Sequence, residues 1–240
     1  MKLNIAYGVH AITGLLEHQD NDITTIYLQP KPNKRHQEIL AKLNNVKVIT
    51  KSIAELDAMT EGANHQGIVV NYRESKPLYS SLDDLFLAKT ENLLLLVLDG
   101  VVDPSNLGSC IRSAAAFGVD AIIIPKDRAV SVNATVIKVA AGATNLVPVF
   151  EVTNLARSLE QIAEHGVWLY GLSEHANVSL NSCDLKGNVA LVMGSEAKGI
   201  RDLTAKKCDY LVSLPTVSGF ATLNVAVATG ISLYEVARQK

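Results

Sequence analysis

The sequence predicts an α/β protein whose larger part is built on a mostly parallel sheet. Three observations carry that expectation. From Leu93 onward, short apolar runs alternate with helix-like stretches in a regular β/α rhythm. The cores of the runs LLLLVL, VDAIIIP and NVALVMG are apolar instead of alternating with polar residues, which indicates burial on both faces and helices on each side of the sheet. Residues 74 to 92, ESKPLYSSLDDLFLAKTEN, interrupt the rhythm with a proline, a serine pair and four acids, and so read as a linker between two units.

The elements follow in order. Residues 1 to 73 place the β-like runs ITTIYLQ, VKVIT and HQGIVVNYR around the helix-like stretches KRHQEILAKLNN and SIAELDAMT, the pattern of a small α/β domain. Within the linker, SLDDLFLA has the composition of one short helix. Residues 93 to 240 then run through LLLLVL, a helix from about Ser105, VDAIIIP, NATVIKVAAGA, LVPVFEV and a helix from Asn154 to His165. The domain closes with VWLYGLS, NVALVMG, YLVSLP and a long final helix ending in LYEVARQK.

Composition narrows the function classes. With 240 residues, 48% of them hydrophobic, the chain is long enough to bury proper cores and is not a disordered one. Lys plus Arg number 22 against 24 acids, a net charge of −2, so any nucleic-acid contact must be local rather than a general coat of positive charge. Cys110, Cys183 and Cys208 are far apart and form no CxxC pair, which disfavours both a disulfide framework and a zinc site and fits a reducing cytoplasm. His10, His18, His165 and His175 have no carboxylate or cysteine at metal-ligand spacing, so no metal is expected. The start of the chain lacks a long apolar core behind a basic segment, and Leu93 to Leu98 is too short to span a bilayer, so neither export nor a membrane is expected.

Ligands of open parallel sheets collect at the C-terminal ends of strands, where loops and helix N-termini converge. Three segments pass that test: LDGVVDPSNLGSCIRSA (98 to 114), LVMGSEAKGIRD (191 to 202) and LPTVSGFATLNVAVATGISLYE (214 to 235). Each leaves an apolar run through a polar, glycine-bearing loop and enters a helix. The first reads N-x-G-x-x-x-R through Asn106, Gly108 and Arg112; the second is close to G-[SA]-E-G-x-G; the third is close to S-L-N-V-S-x-A-x-G-I-x-L-x-E. In this order and spacing they resemble the signature of the SpoU/TrmH family of RNA ribose 2′-O-methyltransferases, of the SPOUT superfamily. YGVHAI and GANHQGI in the front domain resemble a small RNA-binding domain of ribosomal-protein-like type. The long stretch DGVVDPSNLGSCIRSAAAFGVDAIIIPKDR, with VTNLAR, is similar to the branch that methylates a guanosine ribose in 23S ribosomal RNA.

The resemblance implies a parallel sheet tied at its C-terminal end in a trefoil knot, S-adenosyl-L-methionine as cofactor and a homodimer in which an active site borrows from both subunits. General rules of chain connection argue against a knot. The last segment is at least compatible with one, because Gly219, Ala221, Ala226, Ala228 and Gly230 leave room for close backbone approach. By the same resemblance Arg112, Asn106, Glu196 and Asn224 are the catalytic group, and Gly194, Gly199, Leu214 and Leu223 hold the cofactor. The family's matching arginine is placed at the centre of hydroxyl deprotonation. A guanidinium with a pKa above about 12 is a poor proton acceptor near neutrality, so an electrostatic role is expected for Arg112, with the proton leaving to phosphate or water.

Each residue also has a plainer reading. Arg112 on a first helical turn is compatible with a surface arginine, Asn106 and Asn224 with helix caps, and Glu196 with an acid favoured by a helix dipole. Three positions depart from the family pattern: Ala197 replaces a glycine, Thr222 a serine and Ala226 a second serine. Thr222 keeps a hydroxyl, but Ala197 and Ala226 motivate an alternative, a catalytically weakened RNA-binding ribosome-assembly factor, and a transfer-RNA 2′-O-methyltransferase is a closer rival. A nicotinamide enzyme is poorly supported, since G-x-G-x-x-G follows none of the predicted strands. In the front domain, Lys31, Lys34, Arg35 and His36 form a small basic group, and Tyr7, Tyr27 and Tyr72 are candidates for stacking on unpaired bases. His65 in the turn NHQG reads equally as structural or as RNA-contacting.

Overall fold

The structure, a computed structural model, describes residues 3–17, 22–43, 46–73, 79–195, 198–217 and 223–240. The chain divides into two compact units, Met1–Leu78 and Tyr79–Lys240.

The first unit runs β1 (Leu3–Tyr7), α1 (Val9–Glu17), β2 (Asp22–Leu28), α2 (Lys34–Ala41), β3 (Lys47–Thr50), α3 (Ile53–Met59) and β4 (Ile68–Arg73). Its sheet has the order β1-β4-β2-β3, with β4 antiparallel to β1 and β2, and β2 parallel to β3. Ile12 and Leu15 of α1 pack with Ile26, Ile68 and Val70 of the sheet as a single core. β1 and α1 were not anticipated from the sequence, where their short mixed segment shows neither period clearly.

Two histidines hold this unit together from inside. His36 is fully buried: its Nδ1 accepts from the Asn33 amide at 3.3 Å as part of the capping box of α2, and its Nε2 lies 2.9 Å from the Gln66 carbonyl. His65 is also buried, its Nδ1 accepting from the Gly67 amide at 2.9 Å and its Nε2 lying 3.1 Å from Asp57 Oδ1. His36 therefore drops out of the basic group read from the sequence, and His65 is structural. Tyr72 belongs to the core and offers no stacking face, whereas Tyr27 is half-buried beneath the Lys51 ammonium, 5.9 Å above its ring.

The second unit contains α4 (Leu82–Ala88), β5 (Leu94–Asp99), α5 (Pro104–Ala116), β6 (Ala121–Pro125), α6 (Ala134–Ala140), β7 (Val149–Val152), α7 (Leu155–Glu164) and β8 (Trp168–Leu172). It continues through β9 (Val178–Ser179), β10 (Val189–Gly194), α8 (Asp202–Ala205), β11 (Tyr210–Ser213) and α9 (Val225–Gln239). The seven strands take the order β7-β6-β5-β10-β8-β11-β9, and every pairing is parallel. The mostly parallel sheet expected from the apolar runs is present, and the two-residue strand β9 is the one member of it that the sequence did not announce.

Every residue of β5 and β6 is buried. Because side chains alternate across a strand, Leu94, Leu96 and Leu98 enter the core under α5, α6 and α9, while Leu95 and Val97 enter the one under α4 and α7. The helix after β5 begins at Pro104, whose missing N–H suits a first helical position, and is capped by Asp103. Gly108 lets α6 come close: a Cβ there would sit 2.7 Å from Val139 Cβ and 2.9 Å from the Val136 carbonyl oxygen.

That contact makes Gly108→Ala a measurable test of helix packing. Helix propensity alone favours the alanine by about 1 kcal/mol, but overpacking against backbone costs about 1–3 kcal/mol, so a net loss is expected. A lower denaturant midpoint for the second unit agrees with the packing; a midpoint at or above that of the parent chain contradicts it.

Candidate functional site

The C-terminal ends of β5, β10 and β11 lie side by side or one strand apart, and the loops that leave them build the site. At the end of β5, Asp103 takes the capping role, its carboxylate accepting from the Ser105 and Asn106 amides at 2.7 and 2.9 Å. Asn106 is therefore not the cap. Its side chain is instead available to reach across to the last helix, where its Oδ1 accepts from Asn224 Nδ2 at 3.0 Å.

Asn224 is the cap of α9. Its Oδ1 accepts from the Ala226 and Val227 amides at 2.9 and 3.4 Å, which fixes the amide with its nitrogen toward Asn106. The two asparagines thus join the first and third motif loops, 118 positions apart in sequence. α5 and α9 pack behind them with small contacts: the Cys110 thiol lies 3.5 Å from Thr229 Oγ1, and a Cβ on Gly230 would sit 3.7 Å from Ser113 Oγ.

The second loop is a tight turn. Ser195 and Gly199 exchange two backbone hydrogen bonds, at 3.1 and 2.8 Å, and Gly199 has a φ of 64°. The turn folds back onto the end of β10, where a Cβ on Gly194 would collide with the backbone of Gly199 and Ile200. Gly194 is thus demanded by the chain's own return, not by a ligand's approach. Around Gly199 there is open space for a Cβ, so this glycine is required by its left-handed backbone and leaves its face clear. Glu196, Ala197 and Thr222 lie outside the described residues.

Gly194, Gly199, Leu214 and Leu223 all line one cavity of about 540 Å³. Its size lies within the range of small-molecule and cofactor sites. Met193, Ile200 and Val225 give it apolar walls. Glu174 and His175, on the loop after β8, also line it. Sequence reasoning passed over that loop, whose Ser-Glu-His at the end of an apolar run was the available signal.

Arg112 stands apart. It lies six residues beyond Asn106 on α5, about two-thirds of a turn round the helix, and it is exposed. It does not line the cavity, and among the described residues it has no carboxylate partner. Within one chain, then, the described members of the expected catalytic group divide into a bonded asparagine pair and a separate guanidinium.

Asp99, the last residue of β5, was also missed by sequence reasoning. It is 1% exposed, and its carboxylate takes the Arg201 amide at 3.0 Å and the Arg201 Nε at 2.6 Å, with Nη2 also in contact. This pair fixes the start of α8 to the end of β5. None of the three cysteines lines the cavity, and burial pushes the Cys208 thiol up to about 12. No group of metal-ligating side chains is present among the described residues.

With this geometry in place, comparison with known proteins is informative. Residues 93–234 match the model of the SpoU rRNA Methylase family. The chain belongs to that family. Residues 5–78 match a second model, RNA 2′-O ribose methyltransferase substrate binding. The 23S rRNA (guanosine-2′-O-)-methyltransferase RlmB of Shewanella oneidensis is 44% identical over 242 residues, covering 100% of this chain and 98% of the relative. An rRNA methyltransferase from Sinorhizobium meliloti superposes with a TM-score of 0.80 at 25% identity, covering 98% of this chain and 87% of that one. The SpoU methyltransferase AviRb from Streptomyces viridochromogenes, solved in complex with AdoMet, shares the fold with a TM-score of 0.83 at 23% identity, covering 99% and 90% of the two chains. The SpoU/TrmH resemblance carried by the three motifs is therefore established at the level of the family.

The Asp99–Arg201 pair is asymmetric, and its asymmetry can be measured. Arg201→Ala strands a buried carboxylate, which is expected to cost about 3–5 kcal/mol of stability. A loss below about 1 kcal/mol in chemical denaturation contradicts the assignment of Asp99 as a buried, charge-paired anchor.

Proposed function

We propose that this chain transfers a methyl group from S-adenosyl-L-methionine to the 2′-hydroxyl of a guanosine in 23S ribosomal RNA. The observation that carries the reading is the single cavity lined by Gly194, Gly199, Leu214 and Leu223, with the Asn106–Asn224 pair beside Leu223. The substrate assignment is supported by a relative of that activity that aligns end to end at 44% identity.

The cofactor, when bound, supplies an electrophilic methyl on a sulfonium. The rest falls to side chains. Main-chain groups around Leu214 and Leu223 hold the adenosine part, and the open face of Gly199 keeps the wall free of side-chain bulk. The bonded asparagines set the position of the loop that receives the ribose. Positioning of this kind supplies several kcal/mol of barrier reduction. Arg112 holds an RNA phosphate through two parallel hydrogen bonds and places positive charge beside the oxygen as its proton leaves to phosphate or water. Glu196 orients Arg112 or the ribose.

Arg112 acts across a homodimer in this reading. Its exposure, and its absence from the cavity of its own chain, support that assignment. Val227, Ile231 and Tyr234 form an exposed apolar stripe at helical spacing on α9, a surface suited to a second copy. We also read the C-terminal end as a trefoil knot: β10 enters the sheet between β5 and β8, and α9 then returns to pack on α5. Three free cysteines accord with a cytoplasmic protein. Ala226, where the family has a second serine, is half-buried against the core, and its backbone amide donates to Asn224 Oδ1.

Tritiated methyl transfer to unmodified 23S ribosomal RNA, with transfer RNA as the comparison substrate, tests the proposal. Arg112→Ala is expected to lower the rate about 100-fold or more while calorimetric affinity for the cofactor stays unchanged. Full activity of that variant, or methylation of transfer RNA alone, overturns it.

A further inference from the structure

A second cavity, of about 450 Å³, lies on the other side of the segment that carries α8. Ile200 and Asp202 face the cavity described above, whereas Arg201, Leu203 and Thr204 line this one. Its remaining walls come from the C-terminal ends of β6 and β7 and from the first turn of α7, with Arg128, Thr153 and Asn154 prominent.

Two guanidinium groups are presented to this cavity. Arg128 is exposed, has no carboxylate partner among the described residues, and sits at a φ of 60°. A left-handed backbone at a residue with a Cβ costs of order 1–2 kcal/mol and persists only where its surroundings enforce it. They do so here: the Lys126 amide donates to the Val152 carbonyl at 2.8 Å and the Val130 amide to the Val101 carbonyl at 2.9 Å, clamping the loop on both sides of Arg128. Arg201 is held from behind by Asp99 through Nε and Nη2, so one edge of its guanidinium is committed and the rest remains available. Asn154 caps α7 through the Arg157 amide, and the first-turn amides of a helix have no intrahelical partner. Asp127 is the acid on the same wall and Asp99 engages Arg201 from behind, so the donors offered to the cavity are the unpaired Arg128 guanidinium and the uncommitted edge of Arg201.

We propose that this cavity binds a backbone phosphate of the RNA at a nucleotide neighbouring the target, between Arg128 and Arg201. The inference rests on the methyltransferase reading above and deepens it. An RNA strand delivering one ribose to the first cavity continues beyond it as a polyanion, and the adjoining cavity is of a size to take a nucleotide. Arg201 is a poor probe because its loss also exposes Asp99 to an unpaired state. Arg128→Gly is the better one, since glycine accepts the left-handed backbone without strain.

The test is binding of an unmodified 23S ribosomal RNA transcript by filter retention across a salt series, with methyl transfer measured in parallel. Arg128→Gly is expected to weaken RNA binding about tenfold and reduce the salt slope by about 1. KM for RNA should rise by the same factor, while kcat at saturating RNA and cofactor affinity are unchanged and the thermal midpoint is not lowered. RNA affinity and salt slope equal to those of the parent chain overturn the inference. Failure of the parent chain to methylate the RNA overturns the functional reading instead, and the binding series still decides whether this cavity takes phosphate.

Discussion

The hydrogen bond between Asn224 and Asn106 is the contact on which the site depends. It is a modest interaction by itself, about 1 kcal/mol for a neutral pair. Its effect is positional. Each amide has its own local duty or neighbour, and their meeting requires α5 and α9 to lie side by side at the C-terminal edge of β5 and β10. Small residues make that approach possible. Leu214, just after β11, and Leu223, beside Asn224, then line the same space as Gly194 and Gly199.

Glycine and aspartate govern the second loop in complementary ways. Gly194 carries no side chain because the turn of Ser195 and Gly199 lies directly on it. Asp99, its partner in register across β5 and β10, then collects Arg201 just beyond that turn. The segment is thereby pinned at both ends, with one cavity on each side. A segment bordered by two cavities suits a reaction in which a small cofactor and a long polyanion must meet at one oxygen.

Much of the larger unit was legible in the sequence because its strands are buried on both faces. LLLLVL and AIIIP have no polar alternation to confuse a period, and Asn154 at the head of α7 and Asn224 at the head of α9 mark helix starts plainly. The front unit was harder to read. His36 follows Lys34 and Arg35 and looks like part of a basic surface, but the capping box at Asn33 turns its ring inward. Gly194, Gly199, Leu214 and Leu223 were singled out only through the resemblance of the motif loops to the family, and they meet at one cavity. The pairing of Asp99 with Arg201 was not legible, because it joins residues 102 positions apart through a strand order that periodicity does not specify. Nor was the role of Asn106, because Asp103 is just as good a cap and takes that place first.

A crystal structure of the full chain with S-adenosylhomocysteine is the most direct measurement of the central claim. The account predicts the adenosine part in the 540 Å³ cavity, against the main chain of Leu214 and Leu223 and the open face of Gly199. Density for the ligand in the cavity lined by Arg128 and Arg201, with the first cavity empty, contradicts it.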